Sequence, residues 1–204
     1  GPLGVTFDGA IPTLRVWAPT AQAVTLFMYD TEKASYANKT PMQWDGATGV
    51  WSLAGDESWN GKYYLYEVKV FAPSTGKIET NLVTDPYSLS LSMNSQRSQI
   101  VDLNDAALKP QGWDAVAKPA LAAPEDVVVY ELHIRDFSVS DQTVPEELRG
   151  TYKAFTVKDS NGMQHLAALS EAGLTHIHLL PAFDIASVNE DKSTWQTVDE
   201  AKLK

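Results

Sequence analysis

Apolar and polar positions change rhythm along this chain, and the change divides it. From Thr13 to about Val70 the apolar residues come in short runs at 14–18, 23–29, 49–53 and 63–70. Turn residues separate the runs: Pro19, Asp45-Gly46, Gly55-Asp56, Asn60-Gly61 and Thr75-Gly76. These supply the φ values and local hydrogen bonds that reverse a chain. Short strands at this spacing predict an antiparallel β-sandwich, closed by a last strand over 99–103. Trp17 and Trp51 lie between apolar neighbours inside strand patterns and are expected in the core. Trp44 and Trp59 stand beside turn residues, where a ring can either stack on the apolar face of a sugar or close the sandwich rim.

The rhythm breaks between 109 and 124, where Pro110, Pro119 and Pro124 limit both helix and ladder pairing. This sets three segments: a sandwich over 1–105, a linker over 106–126 and a second domain over 127–204. Trp113 in the linker is expected to lie against both domains. The second domain opens on Val127-Val-Val-Tyr-Glu-Leu-His-Ile-Arg-Asp-Phe-Ser138, a β-branched and aromatic run that predicts a parallel strand buried on both faces. A polar loop over 139–158 follows. A helix over 163–172 comes next, capped by Ser160 or Asn161 and stopped by Gly173. Met163, Leu166, Ala167, Leu169 and Ala172 give it an apolar side. Residues 175–181 then repeat the strand pattern. Strand, crossover helix and strand make one βαβ unit, and His133, Arg135, Asp136 and Ser138 gather at the strand end where parallel α/β folds bind ligands.

Composition narrows the function. With 204 residues, 44% hydrophobic and 21% charged, the chain suits one or two globular domains. A formal charge of -10 would repel a phosphate backbone, so no nucleic acid partner is expected. No stretch is long and apolar enough to span a bilayer as a helix. The absence of cysteine excludes disulfides and cysteine-ligated zinc and leaves the compartment open. His176 and His178 face the same way on one strand, yet no third ligand follows at a metal-site interval, and both are taken as structural. Ser138, His133 and Asp136 have the residue types of a triad but crowd one strand end too closely to form its hydrogen-bond chain. Asp136 and Asp184, at neighbouring strand ends, are either paired carboxylates for glycoside hydrolysis or an Arg135 ion pair and a turn cap.

Several stretches, in register along nearly the whole chain, resemble one family. They are Leu14-Arg-Val-Trp-Ala-Pro-Thr-Ala21, Trp59-Asn-Gly-Lys-Tyr-Tyr-Leu-Tyr-Glu67, Val83-Thr-Asp-Pro-Tyr-Ser88, Val101-Asp-Leu103, Tyr130-Glu-Leu-His-Ile-Arg-Asp-Phe-Ser138, Leu148-Arg-Gly150 and Ala172-Gly-Leu-Thr-His-Ile-His-Leu-Leu-Pro181. The resemblance is to pullulanases and limit dextrinases, the α-1,6-glucan debranching enzymes of the α-amylase superfamily. It extends to Gly1-Pro-Leu-Gly4, and so favours native sequence over the scar of a cleaved tag at that point.

The resemblance implies an immunoglobulin-like family 48 carbohydrate-binding module up to about 105, followed by the first βαβ unit of a (β/α)8 catalytic barrel. A complete barrel takes roughly 250 residues, so two of its eight strands are present. The family's nucleophile, general acid and stabilising aspartate lie on later strands, and none of their motifs occurs here. The chain alone is expected to be inactive, with no catalytic residue of its own. Phe183 and Asp184, after the second strand, are its candidate substrate-binding residues, and Trp44 and Trp59 its candidate carbohydrate surface. Glycogen-binding relatives carry tryptophans near Tyr29-Asp30 and Lys77-Glu79 that are missing here, so a weak or absent surface glucan site is expected, with a module that mainly packs on the barrel. The implied ligand is an α-glucan such as pullulan, limit dextrin, starch or glycogen. No cofactor is expected in this chain, and calcium is admitted only for the parent enzyme. A secreted bacterial parent is favoured, with a plastid enzyme as the alternative. Two barrel strands alone would expose apolar sheet. The remaining barrel is therefore expected as a separate polypeptide, with a long loop near 189–204 cut or disordered.

Overall fold

In the computed structural model, which describes residues 1–180, 182–183 and 187–196, the alternation along each strand decides which sheet face is covered. The first nine strands are β1 (Gly4–Asp8), β2 (Ile11–Trp17), β3 (Ala21–Tyr29), β4 (Asn38–Pro41), β5 (Gln43–Asp45), β6 (Val50–Ala54), β7 (Tyr63–Ala72), β8 (Lys77–Val83) and β9 (Ser98–Gln99). They form two antiparallel sheets, one ordered β1-β2-β6-β5 and one ordered β4-β3-β7-β8 with β9 also on β7. Leu14, Val16 and Trp51 from the first sheet meet Val24, Leu26, Met28, Tyr64 and Tyr66 from the second, with Ile100 beside them. This is the core of a β-sandwich, its sheets joined by interdigitating side chains.

The opposite face of β3 is covered locally. Phe27 and Tyr29 form a smaller cluster with Ala37 and Leu65. Arg97 fastens the intervening loop: its guanidinium lies 3.6 Å from the Tyr29 ring centroid and donates to the carbonyls of Thr31 at 2.9 Å and Ala34 at 2.8 Å. A cation over an aromatic face plus two charge-assisted hydrogen bonds holds a segment with little apolar content of its own.

Three expectations are corrected. Trp17 is 55% exposed rather than in the core; Val16 points inward, and side-chain alternation turns its neighbour outward. The strand expected over 99–103 pairs only at Ser98–Gln99, because Ile100 turns into the core and is fully buried. The strand opening the second domain is shorter and more exposed than its composition suggests. It is β10 (Val129–His133), followed at once by the short helix α1 (Ile134–Ser138).

The contacts divide the chain into Gly1–Pro110 with the segment from Asn189, and Gln111–Val188. In the latter, β10 pairs in parallel with β11 (His176–Leu180), in register from Val129↔His176 to His133↔Leu180. Helix α2 (Asn161–Glu171) lies between them in sequence. Leu132 is buried, whereas Val129, Tyr130 and Ile177 are exposed; among the described residues no third strand joins this sheet. The Ser160 hydroxyl accepts from the Met163 N–H and caps α2. Gly162 carries no Cβ because the Phe137 ring occupies that space at 2.7 Å, and Phe137 is itself stacked on Phe155 with centroids 4.4 Å apart.

Candidate functional site

The two tryptophans at turns have different surroundings. Trp44 lies opposite Trp51 in the β5–β6 register, with ring centroids 4.9 Å apart, and is 44% exposed. Trp59 ends a single turn, Glu57–Trp59, capped by the Asp56 carboxylate, which accepts from the Ser58 N–H at 2.8 Å. Its ring lies flat over Gly55, where any Cβ would overlap it, and packs against the core cluster.

Phe183 is 80% exposed. It borders an open cavity of about 240 Å³ beyond the C-terminal ends of β10 and β11, with His133, Arg135, Gly150 and Tyr152 on the other sides. Asp184 lies outside the described residues. Asp136 faces Arg135 at 3.5 Å and His133 at 3.8 Å. Ser138 is buried, and its hydroxyl accepts from the Gly150 N–H at 2.9 Å, tying α1 to the Leu148-Arg-Gly150 turn. His176 contacts Thr175 at 2.9 Å, and His178 reaches Glu131 across the strand pair at 2.8 Å. No cluster of three or more histidine and acidic side chains suited to a metal occurs among the described residues.

One polar centre escaped the sequence reading. Asp85 is 3% exposed inside the sandwich. Its Oδ2 accepts from the Tyr64 hydroxyl at 2.7 Å and the Tyr66 hydroxyl at 3.3 Å, and its Oδ1 accepts from the Tyr87 N–H at 2.8 Å. The Asp85 N–H donates to the buried Ser98 hydroxyl. Burial pushes the carboxyl above the ordinary carboxylate range, against the pull of the Tyr87 N–H and the two phenols. The phenols are pushed up in turn, first by burial and also by the neighbouring carboxylate. Fully paired and closed off from solvent, the centre joins the turn at 83–88 to β7 and β9; its role is structural. The Asp-Pro-Tyr turn was its only signal in the sequence.

A sandwich with a rim tryptophan, joined in sequence to a parallel strand pair with a cavity at its C-terminal end, matches known proteins. Residues 2–88 match the family model of carbohydrate-binding module 48, the isoamylase N-terminal domain. Along its whole length the chain is similar to pullulanases. Pullulanase 1, chloroplastic, of Arabidopsis thaliana is 47% identical over 208 residues, covering 100% of this chain and 21% of the relative. Pullulanase of Klebsiella pneumoniae is 50% identical over 187 residues, covering 90% and 17%. The Klebsiella pneumoniae pullulanase solved with maltotriose superposes with a TM-score of 0.88 at 47% identity, over 93% of this chain and 18% of that one. The chain thus spans about a fifth of the curated relatives it matches. No helix among the described residues is long and apolar enough to cross a membrane.

Proposed function

We propose that this chain is the part of an α-1,6-glucan debranching hydrolase that supplies an immunoglobulin-like family 48 module and the first two strands of a (β/α)8 barrel. The observation that carries the reading is the likeness to a solved pullulanase over 93% of the chain, which reaches beyond the sandwich into the parallel strand pair. The domain limits are 1–105 for the module, 106–126 for the linker and 127 onward for the barrel start. The catalytic carboxylates come from outside this chain, and the hydrolysis is of the retaining, two-carboxylate type.

In this reading Phe183 and Asp184 form part of the substrate wall, because parallel-barrel enzymes build their sites at the C-terminal ends of the strands. Trp44 and Trp59 are the module's candidate sugar contacts, and Trp44 offers the more exposed ring. The ligand is an α-glucan, and the parent is a secreted bacterial enzyme or, as its chloroplastic relative suggests, a plastid one.

Joining this chain to the later barrel portion of Klebsiella pneumoniae pullulanase tests the proposal. The fusion should release reducing ends from pullulan, and the 204-residue chain alone should not. A folded but inactive fusion, or hydrolysis by this chain alone, would refute it. A non-catalytic glucan-binding module is the second reading, favoured by the family match over 2–88; it predicts maltooligosaccharide binding together with an inactive fusion.

A further inference from the structure

The outward face of the β1-β2-β6-β5 sheet carries an aromatic residue that the core does not use. Trp17 ends β2, opposite Val50 of β6, and Val50 lies opposite Asp45 of β5. Directly opposed residues share a face. The adjacent row, Val16, Trp51 and Trp44, runs along the inner side, where Val16 and Trp51 are buried, so Trp17, Val50 and Asp45 look outward. A second outward row, Arg15–Ser52–Gln43, lies two residues along the strands, roughly 7 Å away.

The backbone beside the exposed Trp17 ring is held in place. Gly49 has φ +75°, and a Cβ there would stand 3.2 Å from Trp17 Nε1 and 3.0 Å from Pro19 Cβ. The strap after Trp17 is tied on both sides: the Ala18 N–H donates to the Gly49 carbonyl at 3.1 Å, and the Ala18 carbonyl accepts from the Trp51 indole N–H at 3.1 Å. A backbone fixed before binding loses little freedom on contact. Asp45 is fixed too, accepting from the Ala47 N–H and the Thr48 hydroxyl; these bonds hold it below the usual carboxylate range, and each carboxylate oxygen keeps acceptor capacity. Two strand spacings put Asp45 about 10 Å from Trp17, which leaves room for one sugar ring on the indole and a linked sugar's hydroxyls at the carboxylate.

We propose that this sheet face binds an α-glucan, with Trp17 as the stacking platform and Asp45, Arg15 and Gln43 as partners for the sugar hydroxyls. The chemistry suits a neutral polyol with apolar ring faces: one aromatic anchor and a few polar groups that fix orientation. The assignment rests on the carbohydrate-binding reading above and places the site on a face distinct from the Trp44 rim.

The test is calorimetric titration of maltoheptaose into the full chain and its variants. Wild-type binding should weaken about tenfold in Trp17→Ala. It should be largely kept in Trp17→Phe, which retains an aromatic face, and unchanged in Trp113→Ala, which removes an exposed tryptophan from the other unit. Wild-type binding that Trp17→Ala leaves intact would overturn the platform while sparing the carbohydrate-binding reading. No binding by the wild type would overturn both. Unchanged glucan affinity with weaker association of Trp17→Ala with the later barrel portion would make this face a protein contact and would also overturn the proposal. Exposure of Trp17 makes misfolding of the variants an unexpected complication, and urea unfolding of each variant checks it.

Discussion

Asp85 is the residue on which the sandwich depends most. Replacing it with Ala would leave two buried phenols without their acceptor, a loss of about 2–3 kcal/mol, visible as a lower urea midpoint. The pH dependence has a definite sign. Because the folded-state pKa of Asp85 is raised, its contribution to stability is fully present below the ordinary carboxylate value and is lost as pH rises through the raised one. Asp85→Asn removes that titration. The stability gap between wild type and Asp85→Asn should therefore be widest in acid and narrow as pH rises; a gap that widened would contradict the account. At this scale the sequence was only partly legible. Val24, Leu26 and Met28 declare themselves by alternation, whereas Trp17 and Trp51 look alike in sequence and differ only in which side of the sheet their strand position faces. Asp85 was hidden because a buried carboxylate depends on Tyr64, Tyr66 and Ser98, all distant in sequence.

Elements show where packing overrides local preference. Gly162 sits in the first turn of α2, where alanine would favour helix by about 1 kcal/mol. Its missing Cβ makes room for Phe137, which stacking on Phe155 keeps from swinging aside. Overpacking costs about 1–3 kcal/mol, so Gly162→Ala should lower the thermal stability of the unit holding α2. A stabilised variant would show that the ring yields freely. Strands with an apolar face, such as β2, β3, β6 and β7, could be read from sequence. The fully exposed β4 and the three-residue β5 could not, because an edge strand is set by its neighbour's free hydrogen-bonding groups rather than by its own side chains. Helix α2 announced itself through Ser160, its apolar stripe and Gly173. Helix α1 did not, since Ile134–Ser138 continues a strand-like composition and turns only where His133 accepts from the Asp136 N–H.

At the scale of the molecule, the sandwich closes its own core, but β10 and β11 leave Val129 and Ile177 exposed, as is Val128 just before β10. Their composition predicts burial, and the described residues of this chain leave them uncovered. The candidate cavity beside Phe183 was legible as a place, the end of a parallel strand pair, and its glucan assignment came from the resemblance rather than from any catalytic group. Hydrogen–deuterium exchange of the β10 and β11 amides, in this chain alone and in its fusion to the later barrel portion of a pullulanase, tests the central claim most directly. Protection rising by orders of magnitude at 129–133 and 176–180, with the sandwich strands little changed, is the predicted result. Equal exchange in both forms would mean that the pair is not the start of a barrel.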